Sequence, residues 1–262
     1  MKKNSNILVV LFIILLVFSG NVYASNDFHI NEENKDQGII DVIVPHVNGK
    51  MKVMVEKGSE KYYYNIDENK ETIPLQLGNG EYNIQLLENV IDNKYKVVGK
   101  RKLDVKLDTS TVVYLQSMKL INWEGTNAAN IARELTIDKT KEEEKVLAIY
   151  QYIVENFTYD LDKLKYIKND YVPDLDEIVK ANMGICYDYA ALFSGMTRSI
   201  GIPTKLVMGY KYDMESYHAW NEVYLDGEWI IIDTTYDSCK KKNGSMLNMK
   251  KPKDGYRKDR EY

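Results

Sequence analysis

Between about residues 38 and 117, hydrophobic and polar residues alternate with a period of two, in runs of strand length. The runs are 39–44, 51–56, 62–66, 72–77, 81–87, 95–105 and 111–115, all rich in Val, Ile, Tyr and Leu. Turn-forming clusters separate them, among them Asn48-Gly49, Asp67-Glu68-Asn69 and Gly78-Asn79-Gly80. Short strands at this spacing predict an antiparallel β-sandwich of immunoglobulin or fibronectin type over 38–118. His46, the one histidine of this stretch, follows Pro45 and reads as a surface turn residue.

Beyond Asn122-Trp123-Glu124-Gly125 the period changes to about 3.6, opening a second domain expected over 125–239. Thr126 is placed to cap a short helix running to Leu135. Thr140-Lys141-Glu142-Glu143 has the form of a capping box. The helix after it carries Val146, Tyr150, Ile153 and Phe157 on one stripe. A loop rich in Asp and Lys runs to about Pro173, and 175–180 predicts another short helix. Gly184-Ile185-Cys186 then opens a helix to Ser199, stopped by Gly201 and Pro203. Three strands follow, over 204–212, 218–225 and 228–233. The fold class expected for the whole chain is α+β.

The N-terminal segment breaks both rhythms. Lys2 and Lys3 precede an almost unbroken apolar run over 7–18, and Val22-Tyr23-Ala24 supplies small residues at the positions a signal peptidase reads. Residues 1–24 are expected to be a cleaved signal peptide, followed by a linker over 25–37. About a dozen apolar residues fall short of the ~20 that span a bilayer, so no integral membrane domain is expected after cleavage. The protein is expected to be secreted or cell-wall associated. The 262 residues are 44% hydrophobic and 28% charged, an ordinary composition for packed domains. A net charge of −4 gives no reason to expect nucleic acid as a partner. Two cysteines exclude a disulfide-stapled miniature scaffold.

Candidate chemistry rests on three residues. Cys186 lies in the first turn of a helix that is apolar nearly all round, through Tyr189, Ala190, Leu192, Phe193, Met196 and Ile200. A helix N-terminus presents unpaired amides and positive dipole, which favour a thiolate. A cysteine on such a helix is, on its own, more often a small core residue. The hairpin downstream changes that weighting. Asp226-Gly227 is a strong two-residue turn signal. With that loop Leu225 pairs with Glu228, Trp220 faces Asp233, and His218 lies two residues further along the same face. Diagonal neighbours of that kind are roughly 7–8 Å apart, close enough for a His–carboxylate hydrogen bond. A three-residue loop would turn Asp233 to the opposite face. A carboxylate on one imidazole nitrogen frees the other to take a proton from a thiol, so Cys186, His218 and Asp233 form a possible nucleophile, base and orienter.

Several motifs together resemble the core pattern of the transglutaminase-like superfamily: Gly184-Ile185-Cys186-Tyr187-Asp188-Tyr189-Ala190, Gly201-Ile202-Pro203, Met208-Gly209-Tyr210, His218-Ala219-Trp220 and Trp229-Ile230-Ile231-Ile232-Asp233-Thr234-Thr235. The segment Asn156-Phe157-Thr158-Tyr159-Asp160 is similar to the stretch that precedes the family's cysteine. The resemblance covers roughly residues 140–237. It implies a papain-like core, a central helix packed on an antiparallel sheet, with Cys186 as nucleophile, His218 as base and Asp233 as orienter. It also implies an aromatic or amide side chain near the oxyanion, which no residue pattern here identifies; the Cys186 backbone amide is the one donor that reasoning supplies.

The expected function is cysteine acyl transfer on peptide amides through a thioester, by an exported enzyme of transglutaminase, protease or amidase type. Crosslinking and hydrolysis stay open, because the same three residues serve both. The partner expected is a peptide or protein substrate, drawn from cell-wall or surface protein. The alternative is a non-catalytic cell-surface binding or structural module that keeps the fold. No cofactor and no metal are expected: His29, His46 and His218 have no ligand spacing, and no glycine-rich phosphate loop occurs. Cys239 reads as a free thiol after the last strand, with pairing to Cys186 as the other reading. Residues 240–262, with nine Lys and Arg against three Asp and Glu, read as a basic C-terminal tail, solvated and partly packed.

Overall fold

The computed structural model describes residues 28–47, 49–168, 170–241 and 247–262. The expected signal peptide and Asn48 of the expected Asn48-Gly49 turn lie outside the described residues. The chain divides into two compact units. One comprises 40–106 with the residues up to Lys35; the other comprises 36–39 and 107–262. Among the described residues no helix is long and apolar enough to cross a membrane.

The first unit contains β1 (His29–Asn31), β2 (Ile39–Ile43), β3 (Met51–Lys57), β4 (Glu60–Ile66), β5 (Lys70–Pro74), β6 (Gly80–Ile91) and β7 (Lys94–Val105). They form a three-stranded sheet in the order β1-β2-β5 and a four-stranded sheet in the order β4-β3-β6-β7. The pairs β3–β4, β3–β6 and β6–β7 are antiparallel. Alternate positions are buried, as the period-two pattern requires: Tyr62, Tyr64 and Ile66 on β4, and Tyr82, Ile84 and Leu86 on β6.

Three expectations here need correcting. The run 111–115 is not a strand; Val112–Leu115 is a 3-10 turn. Val112, Val113 and Tyr114 are all buried, so the solvent-facing side of a half-exposed strand does not exist there. The strand expected over 72–77 begins earlier and ends at Pro74, a residue with no amide to continue a ladder. Finally, β1 forms in the segment expected to be a linker, pairing antiparallel with β2.

The second unit opens with α1 (Asn127–Thr136), α2 (Glu142–Asn156), β8 (Thr158–Tyr159), α3 (Leu161–Tyr166), α4 (Leu175–Ala181) and β9 (Met183–Gly184). It continues through α5 (Cys186–Arg198), β10 (Thr204–Lys211), β11 (Tyr217–Leu225), β12 (Glu228–Ile232), α6 (Thr234–Lys241), β13 (Lys250–Lys251) and β14 (Tyr256–Glu261). Thr126 caps α1 through the Ala129 amide, as its position suggested. The capping box at Thr140 does not form. Helix α2 starts at Glu142 with Lys141 at the cap and no side-chain cap bond, and Glu142, Glu143 and Glu144 in its first turn favour the dipole instead.

The α+β arrangement expected from the sequence is present: β13-β12-β11-β10-β14 form one sheet and α5 packs against it. Tyr189, Ala190, Leu192, Phe193 and Met196 of α5 share a core with Leu206, Ala219, Val223 and Ile232 of the sheet, and with Val146, Ile149 and Ile153 of α2. Burying a side chain such as Phe193 contributes about 2 kcal/mol. Asn221 ties the sheet to the helix, its Nδ2 donating to the Ala190 carbonyl at 2.9 Å and to Ser194 Oγ at 2.8 Å. At the other end of α5, the buried Arg198 guanidinium donates to the backbone carbonyls of Gln116, Thr204 and Tyr262, each within 2.9 Å.

The segment read as a basic tail is largely structural. Strand β13 pairs with β12 and β14 with β10, so the sheet has five strands where three were expected. Its charges are absorbed locally: Lys258 bridges Glu222 at 3.0 Å and Glu261 at 2.6 Å, and Lys205 reaches Glu261 at 3.0 Å.

Candidate active site

The hairpin between β11 and β12 sets the site's register. Asp226 (φ 51°) and Gly227 (φ 86°) both adopt the left-handed conformation of a tight two-residue turn. Leu225 pairs with Glu228 and Asn221 with Ile232, which puts Trp220 opposite Asp233. His218 then shares a face with both, and its Nε2 lies 2.8 Å from Asp233 Oδ2. Both side chains are buried. The other carboxylate oxygen, Oδ1, accepts the Tyr236 backbone amide at 2.9 Å. Trp220 stacks beside the imidazole, with ring centroids 6.3 Å apart and planes 25° from parallel.

Cys186, at the first position of α5, is half-buried and interacts with the His218 imidazole. Since Nε2 is taken by Asp233, Nδ1 is the nitrogen left for the thiol. Burial works against an imidazolium here. The Asp233 charge and hydrogen bond, followed by the contact with Cys186, outweigh it and push the His218 pKa up from 6.5 to about 10. The structure therefore brings Cys186, His218 and Asp233 together. Cys239, on α6, is exposed, and Cys186 and Cys239 are not joined in a disulfide.

Two neighbours of Cys186 escaped sequence reasoning. The first is Asp188, fully buried two residues into the helix. Its Oδ2 accepts the Ile185 amide at 2.9 Å, satisfying an amide at the start of α5, and also the Lys163 ammonium at 2.6 Å. Tyr171 donates to Oδ1 at 2.5 Å. Asp188 thus fastens α3 and the loop after it to the helix that begins at Cys186. Gly184 leaves room for it, since a Cβ there would lie 2.6 Å from the Asp188 Cβ. The available signal was an acid three residues after the cap.

The second is Tyr159. Strand β8 runs parallel to β9, pairing Tyr159 with Gly184, two residues before the cysteine. The Tyr159 hydroxyl lies close enough to Cys186 to interact with it. Burial, followed by the charge of Cys186, pushes its pKa up to about 12, so it is a protonated donor at neutral pH. A short parallel pair joining segments 25 residues apart leaves no local pattern to read.

Residues 129–234 match the family model of the transglutaminase-like superfamily. Kyphoscoliosis peptidase from Mus musculus is 31% identical over 105 residues, covering 36% of this chain and 16% of that protein. YebA from Bacillus subtilis is 26% identical over 162 residues, covering 54% of this chain and 22% of its own length. The chain thus spans about a fifth or less of these relatives. A candidate cysteine protease structure from Cytophaga hutchinsonii aligns with a TM-score of 0.45 at 23% identity, over 58% of this chain and 46% of that one. Within the second unit, residues 129–234 are thus similar to the transglutaminase-like superfamily.

Proposed function

We propose that this transglutaminase-like domain is a cysteine acyl-transfer enzyme acting on peptide amides. The observation that carries the reading is the buried His218–Asp233 hydrogen bond, with Cys186 at the start of α5 interacting with the same imidazole. In the proposed reaction the Cys186 sulfur, its proton held by His218, attacks the amide carbon, forming a C–S bond and a tetrahedral oxyanion. The oxyanion forms against the Cys186 backbone amide. Tyr159, held beside Cys186 by the β8–β9 pair, donates its hydroxyl proton in a hydrogen bond to the oxyanion, and so serves as the side-chain donor that the sequence left unidentified. Collapse breaks the C–N bond, and His218 gives its proton to the leaving amine. Water or a second amine then attacks the thioester carbon, giving a proton to His218 as the new C–O or C–N bond forms, and the C–S bond breaks to return the Cys186 thiolate. Peptidase is the printed name of one relative, which supports an amide as the bond attacked. With the leader read as a signal peptide, the substrates are cell-wall or surface proteins.

The test is incubation with a glutamine-containing peptide and a labelled amine, following ammonia and incorporation. Incorporation identifies a transferase; ammonia or peptide cleavage without incorporation identifies a hydrolase. Neither outcome, from folded protein across a diverse peptide set, would make the domain a non-catalytic module.

The raised His218 pKa fixes the pH response. Below about 10 the ring keeps the proton that the leaving amine needs, and activity falls as pH rises through that value. Asp233→Asn removes the charge that holds the proton. The alkaline limb of kcat/KM is expected to move down toward 6.5, the ring's ordinary value, and the rate to drop about 10⁴-fold. An unmoved limb would separate Asp233 from the chemistry.

A further inference from the structure

We infer that Tyr256, on the C-terminal strand β14 and outside the matched residues 129–234, is a positioning residue for the site, holding Asp233 in place for His218. The inference rests on the catalytic reading of Cys186, His218 and Asp233. The Tyr256 hydroxyl donates to Asp233 Oδ2 at 3.0 Å, the same oxygen that faces His218 Nε2 at 2.8 Å. With the Tyr236 amide on Oδ1, all three contacts come from different elements, and the carboxylate has no remaining freedom to turn.

Tyr256 is fixed in its own right. Its ring packs on Trp220 with centroids 5.0 Å apart, and Trp220 lies against His218. Pairing with Lys211 sets its register. Burial and then the Asp233 charge keep the phenol protonated, so it acts only as a donor toward the carboxylate. The other charged or titratable groups around the pair are Cys186 from α5, Asp237 and Tyr236 from α6, and Lys211 from β10, whose Nζ stands 5.3 Å from the Tyr256 ring centre.

A donor on Oδ2 draws off part of the negative charge that His218 feels. Without it, the imidazolium is held more tightly and the carboxylate is free to rotate. Tyr256→Phe keeps the ring and removes only the donor. In the full chain, NMR titration of the His218 ring is expected to show its pKa raised by about half a unit, within the range that single charge-assisted hydrogen bonds produce. Iodoacetamide alkylation of Cys186 and the alkaline limb of turnover should follow that shift. The rate should fall about tenfold with KM unchanged, as for other groups that orient a catalytic ligand. A fluorotyrosine at position 256, a stronger donor of nearly the same shape, is expected to move the His218 pKa the opposite way, and it guards against misfolding of the Phe variant.

Opposite shifts from the two substitutions establish the role. An unchanged His218 titration in both would reduce Tyr256 to packing. The titration needs no substrate, so it stands apart from the catalytic reading, which fails instead if Cys186→Ala retains turnover.

Discussion

Cys186→Ala is expected to lower acyl transfer by at least about 10⁴-fold while leaving the fold intact, because removing the nucleophile costs about as much as removing the whole catalytic set. The side chain is half-buried and small, so its loss leaves little cavity. Two measurements check this: turnover of whichever peptide amide proves active, and the melting temperature, expected within a few degrees of the parent. Alkylation supplies a third. Cys239 is the one other thiol in the chain. Fast iodoacetamide labelling near pH 6 should vanish in Cys186→Ala and survive in Cys239→Ala. Residual turnover in the Cys186 variant would place the nucleophile elsewhere.

Gly209→Ala is expected to be among the most damaging single-methyl additions in the chain. A Cβ at 209 would lie 2.1 Å from the Arg257 carbonyl oxygen and 2.9 Å from the far edge of the Trp220 ring. The first of these is backbone, and cannot step aside as a long side chain would. The β10–β14 register already shifts between Met208 and Gly209, so the added methyl falls where the pairing is least regular. Relief requires β14 to move away, carrying Tyr256, the neighbour of Arg257, off Asp233. Overpacking of this kind costs about 3 kcal/mol, and here the damage extends to the site. Urea denaturation should show the loss of stability, and the His218 titration should shift as in Tyr256→Phe. A variant of parental stability would mean the strand has more play than the close contact indicates.

The geometry of the candidate site was legible where it depended on short-range rules. A two-residue turn fixes a hairpin register, and register alone put His218 and Asp233 on one face. The apolar circumference of α5 required a buried helix, which is how Cys186 comes to sit at its exposed leading end. The parts that stayed hidden depend on pairing between distant segments. Tyr256 lies in a stretch so rich in Lys and Arg that solvation is the natural reading, yet Lys258 finds Glu222 across the sheet and the strand becomes an edge. Tyr159 is aligned by two residues of parallel ladder. Residues 111–115 have strong β propensity, but burial of Val112, Val113 and Tyr114 together suits a helical turn and not a half-exposed strand.

The Arg198 clamp has a consequence for when this protein becomes competent. Its three acceptors lie at positions 116, 204 and 262, so the guanidinium draws together stretches made at very different moments of synthesis. Contacts of such long range close late, after the entropy of the intervening loops has been spent. Until β14 has docked on β10, this charge lacks one of its acceptors, which disfavours seating α5 on the sheet. Strand β14 and the helix that begins at Cys186 are thereby expected to settle together, in one late step of folding.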